Sequence, residues 1–302
     1  MLMTRTPFRI SFSGGSSDLP EYLEKTGYGC VISSAIDKYM YIALNKNFYN
    51  NFILKYSSTE IVESAEHIKH PILRTAITKS DLTGIDLASF SDIPSGTGLG
   101  SSSAFTVGVL NALKSFKNEK FTQLELAKLA QEIEITDLNG NLGYQDQLGC
   151  ALPGVKFIEF IKNAKNDKID FKITEFDLKT NYEFVLAFTN KVHNTNLELS
   201  TKKDFNLIDD LVQLTLDLKN NKISFVDCIK ENWKIKSKYS GFDDIYQLGL
   251  KSGAVCGKLL GSGNGGFFLF LVENSDEFIS KMPLKCLKVK TDFEGTKCIL
   301  KN

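Results

Sequence analysis

Apolar residues recur with two different spacings along the chain, and together they predict a mixture of β-strands and α-helices. Segments rich in β-branched and aromatic residues predict strands at residues 8–12, 30–44, 87–93, 154–160, 184–189 and 267–272, with two short strands at the end of the chain. Helical spacing predicts helices near residues 67–79, 102–116, 122–134, 205–219, 223–236, 243–254 and 275–281. Because strands and helices do not alternate strictly, the pattern favours the α+β class over a doubly wound sheet.

Local signals add detail to this pattern and predict how the chain divides. The helix at residues 102–116 is apolar nearly all round, which is typical of a buried helix. Thr122 and Glu125 form a capping box at the start of the next helix. The polar, lysine-rich stretch at residues 162–172 suits a hairpin tip or a connection between domains. We therefore expect two domains, one of residues 1–160 and the other of residues 161–302.

Charge and composition exclude several classes of protein. The 302 residues include 36 basic and 36 acidic side chains, and a formal net charge of zero argues against a nucleic-acid partner. The longest apolar run, residues 265–272, is far shorter than the roughly 20 residues of a membrane span, and the first residues show no signal-peptide pattern. Six cysteines without metal-binding spacing are expected to be reduced thiols. We therefore expect a cytoplasmic protein without a membrane partner. The sequence does not decide between a monomer and a homodimer.

Three glycine-rich segments are candidates for binding a ligand. Residues 94–104 (PSGTGLGSSSA) lead from a predicted strand into a helix, whose free N–H groups and positive dipole end form an anion site. This segment lacks the lysine of a Walker A loop and the spacing of a dinucleotide fingerprint. Residues 6–18 (TPFRISFSGGSSD) end a strand in a glycine pair and an aspartate, and residues 258–267 (KLLGSGNGGF) link a helix to a strand. Taken alone, the first of these two segments is as typical of a glycine turn with an aspartate cap as of a ligand site. The second is more typical of a tight link between a helix and a strand.

Two acidic residues complete the set of candidates. Glu134 ends the capped helix, and Asp146 lies in the segment GYQDQ at residues 143–147. Two carboxylates that converge near a phosphate-binding loop can supply a magnesium ligand and a base that orients a nucleophile. In isolation, each is more typical of a solvated charge or a helix cap.

Together these segments resemble the GHMP kinase superfamily, which includes galactokinase, homoserine kinase, mevalonate kinase and phosphomevalonate kinase. The central P-x-x-x-G-L-G-S-S signature is matched in full from Pro94 to Ser102, and the opening segment is most similar to the D-glycero-D-manno-heptose 7-phosphate kinases. Ser17 stands where that branch usually has threonine, and Ser262 and Asn264 replace small residues of the third motif. The resemblance implies an N-terminal domain like ribosomal protein S5 domain 2 and a C-terminal ferredoxin-like domain.

The resemblance also implies ATP and Mg²⁺ as cofactors and assigns roles to individual residues. Asp146 would be the catalytic base, Arg9 would stabilise charge near the transferred phosphoryl group, and Ser102 with Glu134 would bind magnesium. The ATP phosphates would lie on Pro94, Gly96, Thr97, Gly98, Leu99, Gly100, Ser101, Ser102 and Ser103. The acceptor would be bound by Gly14, Gly15, Ser16, Ser17 and Asp18 and by the loop of Gly261, Ser262, Gly263, Asn264 and Gly265.

The activity that the resemblance implies is the ATP-dependent phosphorylation of a small-molecule sugar phosphate. A heptose 7-phosphate would become the 1,7-bisphosphate through its anomeric hydroxyl, as in the biosynthesis of nucleotide-activated heptose. Such an acceptor needs a further cation, and only Arg5, Arg9 and Arg74 among the 36 basic residues are arginine. We expect Arg74 to bind the acceptor, although structural ion pairs explain Arg5 and Arg74 equally well.

Two alternatives to this activity stay open at the level of sequence. The chain could phosphorylate another sugar such as fucose or galactose, or it could be a non-catalytic sensor of sugar and nucleotide with the same fold. The presence of both Glu134 and Asp146 argues against a sensor, which has no need of them. His193 lies where related sugar kinases often carry Arg-Ser, so the contacts of that loop with the acceptor are not predicted.

Overall fold

The computed structural model describes residues 1–140, 142–166, 168–191, 204–261 and 263–301. Of the residues singled out above, His193 and Ser262 lie outside these ranges. Strands occupy Leu2–Ser13 (β1), Tyr28–Lys46 (β2), Phe52–Lys55 (β3), Thr59–Val62 (β4), Ile85–Ser91 (β5), Val155–Lys162 (β6), Ile169–Glu175 (β7), Glu183–Phe188 (β8), Ala254–Leu259 (β9), Phe267–Val272 (β10), Cys286–Val289 (β11) and Lys297–Lys301 (β12).

The helices occur mainly after the first five strands. They are Pro20–Thr26 (α1), Pro71–Ser80 (α2), Ser101–Phe116 (α3), Gln123–Gln131 (α4), Gln145–Ala151 (α5), Phe205–Lys219 (α6), Phe225–Ser240 (α7), Asp243–Lys251 (α8) and Ser275–Lys281 (α9). A 3₁₀ turn at Ala65–His67 precedes α2, and α4 continues as a π-helical turn at Glu132–Asp137. No helix within the described ranges is long and apolar enough to cross a membrane.

The first sheet has the order β12-β1-β2-β5-β3-β4, and β6 joins β2 and is itself paired with β7. The long strand β2 pairs antiparallel with β1 on one side and with β5 and β6 on the other. Its neighbour β1 pairs with β12 only over residues 2–5, so β12 leaves the later part of that edge uncovered. Helix α3 packs its small residues on this sheet, where Gly108 lies against Thr6 and Ile42. The uncovered part of β1 is where the cavity described below begins.

The second sheet has the order β11-β8-β10-β9 and is antiparallel. Aromatic side chains form its core on the side of α7, with the Trp233 and Phe268 ring centroids 4.8 Å apart. Trp233, Phe268 and Phe278 are all buried there. The mostly antiparallel sheets and the irregular order of elements confirm the predicted α+β class.

The division of strands differs from the predicted boundary between residues 160 and 161, because that boundary falls inside β6. Strand β7 also belongs to the first sheet, and β12 returns to it from the end of the chain. We therefore propose that the second domain begins after β7 and that the chain ends in the first. The sequence also does not predict six short elements, namely α1, β3, β4, α5, β7 and β9. Of these, α5 and β9 are rich in small residues. None of the six cysteines, all within the described ranges, forms a disulfide.

Candidate active site

A cavity of about 760 Å³ lies where the two sheets meet. Its walls come from β1, the loop between β5 and α3, the start of α3, α5, α7 and the loop after β9. The site is therefore assembled from segments that are distant in sequence and that come from both parts of the chain.

The first glycine-rich wall is the loop that leads into α3. Gly96, Gly98 and Gly100 adopt φ angles of 70°, 76° and 74°, which are readily accessible only to glycine. This conformation turns the chain from β5 into a helix whose first residue is Ser101. The loop and the first turn of α3 line the cavity, and a helix N-terminus that faces a cavity is suited to bind phosphate.

The loop after β9 packs directly on this first loop. A Cβ atom at Gly261 would lie 2.7 Å from the Cα of Gly98, and a Cβ at Gly266 would lie 2.3 Å from the carbonyl oxygen of Thr97. Neither contact leaves room for a side chain, so glycine is required for the two loops to meet. The second sheet is thereby held against the predicted phosphate loop.

At the base of the first loop, Arg9 and Asp146 form a two-pronged ion pair. Nε and Nη2 of Arg9 donate to the two carboxylate oxygens of Asp146 at 2.9 and 2.8 Å, and Nη1 donates to the carbonyl oxygen of Gly98 at 2.8 Å. Arg9 is buried, whereas the Asp146 side chain is 22% exposed and lines the cavity. Burial is the largest single effect and would lower the pKa of Arg9, but the charge of Asp146, its hydrogen bonds and the other nearby acidic groups together raise it.

One residue before Asp146, Gln145 holds a second carboxylate in place. The backbone N–H and the side-chain Nε2 of Gln145 donate to the two oxygens of Asp18 at 3.0 and 2.9 Å. Asp18 is 2% exposed; burial, followed by the charge of Asp146, raises its pKa to about 6. Gly143 packs on this carboxylate so closely that a Cβ would lie 1.9 Å from an Asp18 oxygen. The first turn of α5 therefore carries Asp146 and holds Asp18 in place.

The third carboxylate, Glu134, lies under the start of α3. It is 2% exposed and accepts hydrogen bonds from Ser102, from Ser103 Oγ at 2.8 Å and from Gln147 Nε2 at 2.7 Å. Burial raises its pKa, and these hydrogen bonds oppose the shift. The π-helical turn after α4 carries Glu134, and such turns are frequent at functional sites.

Ser102 and Glu134 fit the magnesium ion that the sequence implies. Their side-chain oxygens are in contact beside the predicted phosphate loop, and Mg²⁺ takes hard oxygen ligands while it keeps several waters and binds phosphate oxygens. No cluster of three or more His, Cys, Asp and Glu occurs in the part of the chain that the structure describes. Two oxygen ligands from the protein suit a metal ion that keeps several waters.

The structure does not bring every predicted site residue to the cavity. Arg74 is exposed on α2 and donates to the carbonyl oxygen of Ile68 at 3.1 Å, and it is not part of the cavity wall. Its predicted role in binding the acceptor is therefore not retained. Arg5 pairs with Glu294 and stacks on the Tyr39 ring, as its alternative interpretation predicts.

In the opening segment, the predicted residues have different positions. Gly15, Ser16 and Asp18 line the cavity. Ser17 is buried away from it and donates to the carbonyl oxygens of Gly14 and Cys30, so that its hydroxyl closes the turn. The usual threonine of the branch carries the same hydroxyl.

In the loop after β9, Gly261 lines the cavity, whereas the described residues that follow it do not. Asn264 is exposed, and Gly265 packs against the backbone of Lys191. In the first loop, Leu99 is buried and accepts from the backbone N–H of Arg9 at 3.1 Å. Leu99, Asn264 and Gly265 therefore shape the loops without facing the cavity.

The sequence did not single out several polar residues of the wall, among them four that contribute amide or ammonium groups. Gln145, Asn232, Lys236 and Lys258 all line the cavity. Gln145 and Lys258 lie inside the segments at residues 143–147 and 258–267, in which only the acidic and glycine residues form a pattern typical of a site. Asn232 and Lys236 lie four residues apart on α7, and this spacing places them on one helix face. That spacing is the only signal that the sequence offered for them.

Comparison with known proteins shows which proteins this chain is similar to. Residues 60–154 match the family model for the GHMP kinases N terminal domain. A D-glycero-alpha-D-manno-heptose 7-phosphate kinase from Campylobacter jejuni subsp. jejuni serotype O:2 is 29% identical, with 92% of this chain and 91% of the relative aligned.

Two crystal structures with low sequence identity have the same fold. A D-glycero-D-manno-heptose 1-phosphate kinase from Bacteriodes thetaiotaomicron is 20% identical, with a TM-score of 0.80 and 100% of each chain covered. The Lactococcus lactis galactokinase complexed with galactose is 16% identical, with a TM-score of 0.73 over 98% of this chain and 94% of that chain.

Together with the fold, these similarities identify an ATP-dependent phosphotransferase. The chain therefore resembles the GHMP kinases. Both the predicted resemblance and the predicted two-domain fold of that family are confirmed.

Proposed function

We propose that the protein is a sugar kinase that transfers the γ-phosphoryl group of ATP to the anomeric hydroxyl of D-glycero-D-manno-heptose 7-phosphate, giving the 1,7-bisphosphate. The observation that carries this proposal is the position of the Arg9–Asp146 pair. It lies between the glycine loop at the start of α3 and the polar pocket around Asp18. A nucleotide on one side and a hydroxylated acceptor on the other would meet at this pair.

The nucleotide side is provided by backbone groups and hydroxyls. The loop of residues 94–103 would hold the ATP phosphates, because a helix N-terminus favours negative charge. Ser102 and Glu134 would hold Mg²⁺, which supplies charge neutralisation for the phosphates when it is bound. Arg9 uses three of its five N–H donors on Asp146 and Gly98. The other two can donate to the phosphoryl group as it is transferred.

The acceptor side is provided by Asp146, Asp18 and Gln145. Asp146 would orient the sugar hydroxyl and take its proton as the new P–O bond forms and the bond to ADP breaks. Asp18 would accept hydrogen bonds from further sugar hydroxyls, because its oxygens lie at the cavity wall with acceptor capacity beyond the two bonds from Gln145. A polyhydroxylated acceptor suits such a wall better than an apolar alcohol does.

The identity of the acceptor can be tested by ADP release. Heptose 7-phosphate, free heptose, galactose and fucose would be compared at equal concentration with ATP and Mg²⁺. We expect the highest kcat/KM for heptose 7-phosphate, and ³¹P NMR of the product should show a new phosphate on the anomeric oxygen. A higher kcat/KM for a free hexose would overturn the acceptor, and absence of turnover with every sugar would favour the sensor alternative.

The magnesium site can be tested with Glu134→Gln. Loss of the carboxylate charge should raise the Mg²⁺ concentration for half-maximal rate by about 10-fold or more. The matched control is Glu132→Gln on the same helical turn, where the carboxylate is half-exposed and pairs with Lys79 instead. If Glu134→Gln lowers activity while its Mg²⁺ dependence equals that of the control, Glu134 has only a structural role.

A further inference from the structure

Two buried lysines of the cavity wall have no part in the roles described above. Lys236 on α7 and Lys258 on β9 are 8% and 3% exposed. Burial, followed by the charge of Arg9, lowers the pKa of Lys236 to about 8; burial, followed by the charge of Lys236, lowers that of Lys258. Among the described residues, neither ammonium group has a carboxylate as ion-pair partner. Positive charge is therefore in excess on this wall, and isolated buried charge is costly.

Each of the two ammonium groups has an N–H donor to spare. Lys236 Nζ donates to two backbone carbonyls within residues 259–261, at 3.2 and 2.6 Å. Lys258 Nζ donates to the two carbonyls of residues 11–12, at 3.0 and 2.7 Å. An ammonium group has three donors, so each lysine keeps one that no carbonyl in the described part of the chain accepts.

Two neighbouring side chains also have unmet hydrogen-bonding capacity. Asn232 is 1% exposed and lines the cavity, yet neither its Oδ1 nor its Nδ2 has a partner in the described structure. The same holds for Oγ of Ser11, which is 9% exposed. A buried polar group without a partner costs about 1–3 kcal/mol, so retaining several of them at one wall calls for a ligand that satisfies them.

The position of Lys258 distinguishes this wall from the phosphate loop. It is bonded to carbonyls two and three residues beyond Arg9 on β1, in the direction of Asp18. At the rise of a strand, these two carbonyl groups lie ~7–10 Å along β1 from Arg9, which marks the reacting centre. An anion held by Lys258 would therefore lie on the acceptor's side of the Arg9–Asp146 pair, about a sugar's length from the hydroxyl that reacts.

We propose that Lys236, Lys258 and Asn232 form a second anion subsite that binds a phosphate group carried by the acceptor. This inference rests on the proposed sugar kinase activity and adds the residues that select a phosphorylated sugar. The spare lysine donors and the Asn232 amide supply hydrogen bonds to the phosphate oxygens, and the two ammonium groups balance its charge. The subsite takes the place of the arginine contact that the sequence predicted for Arg74.

The sharpest test is Asn232→Leu, which removes the unpartnered amide and keeps the branched shape and the number of heavy atoms of the side chain. We expect KM for heptose 7-phosphate to rise about 10- to 100-fold, the ordinary loss for a hydrogen bond to a charged group. KM for ATP and the activity with any free sugar should stay unchanged. The melting temperature should be equal or higher, because an unsatisfied buried group has been removed.

The matched control is Asn111→Leu on α3. That asparagine is also 1% exposed, but its amide is bonded to Thr296 and Ser115. This variant should lose stability and keep the KM for heptose 7-phosphate. The subsite would be refuted if Asn232→Leu changed neither the KM for heptose 7-phosphate nor the KM for ATP. It would also be refuted if the variant changed kcat equally for phosphorylated and free sugars. The latter result would assign these residues to the transferred phosphoryl group.

A binding measurement separates the subsite from the identity of the acceptor. With the nucleotide site filled by Mg²⁺–AMPPNP, inorganic phosphate would be titrated calorimetrically into the wild type, Asn232→Leu and Lys258→Met. We expect binding to the wild type and at least 10-fold weaker binding to both variants. If phosphate binds in this way but heptose 7-phosphate is not turned over, the subsite stands and the proposed acceptor is wrong. If phosphate does not bind the wild type, the subsite is wrong whatever the acceptor.

Discussion

Asp146→Asn is expected to lower kcat by about three orders of magnitude, within the range that general acid–base catalysis contributes. The asparagine amide cannot take the proton of the acceptor hydroxyl, and this function is needed mainly in the transition state. The affinity for Mg²⁺–ATP should stay close to that of the wild type, because Asp146 lies on the acceptor's side of Arg9. Steady-state kinetics combined with calorimetric titration of the nucleotide would measure both quantities.

A control is needed because Asp146 is also the ion-pair partner of Arg9. Arg9 now donates to two carboxylate oxygens of Asp146, whereas asparagine offers one acceptor oxygen. The buried guanidinium therefore loses a hydrogen bond and its counter-charge, and the melting temperature of the variant should be lower. Glu294→Gln breaks the arginine pair with Arg5 outside the cavity and should leave kcat unchanged. Near-wild-type turnover of Asp146→Asn would contradict its assignment as the base.

The part of the site that sequence predicted lies in short continuous motifs. The loop that begins α3 is specified by three glycines whose positive φ angles set its course, and the cap at Thr122 fixes where α4 begins. Arg9 and Asp18 lie in one segment at the end of β1. In each case the residue type and the local backbone conformation are linked within a few positions, so a single sequence carries the signal.

The part that sequence did not predict depends on packing between distant segments. Lys258 reaches the cavity because its ammonium group extends from β9 to the carbonyl oxygen of Phe12, a residue 246 positions away along the chain. Lys236 reaches it because α7 packs on β9, and nothing in its neighbours on the chain sets it apart from other helical lysines. Arg74 shows the converse error. Its residue type suited phosphate, but α2 turns that side chain to solvent, and no local pattern gives the direction of a helix relative to a cavity.

Asp18→Asn should weaken acceptor binding and stabilise the fold at the same time. The pKa of Asp18 is raised from 3.8 to about 6 in the folded protein, so the folded state holds this proton more tightly than the unfolded state does. The cost of ionising Asp18 is absent below the unfolded pKa, grows as pH rises from about 4 to 6, and is fully present above 6. Two pKa units correspond to roughly 3 kcal/mol.

Asparagine carries no charge at any of these pH values, so the variant escapes this cost. Its Nδ2 can donate to Gln145 Oε1, which has no partner in the described structure, after a flip of the Gln145 amide. We expect denaturant unfolding to show a more stable variant at pH 8 and a difference that vanishes towards pH 4. KM for the acceptor should be about 10- to 100-fold higher at pH 8, since a hydrogen bond to a charged group is lost.

The pH dependence of acceptor binding provides the control for this variant. In the wild type, KM for the acceptor should rise as pH falls through 6, because protonation removes the negative charge that accepts the sugar hydroxyls. In Asp18→Asn that rise should be absent, and KM for ATP should be the same in both proteins. A variant that is less stable than the wild type at pH 8, with an unchanged KM, would show that Asp18 is a structural cap for α5. The combined gain in stability and loss of affinity is expected only if the buried charge is retained for the acceptor.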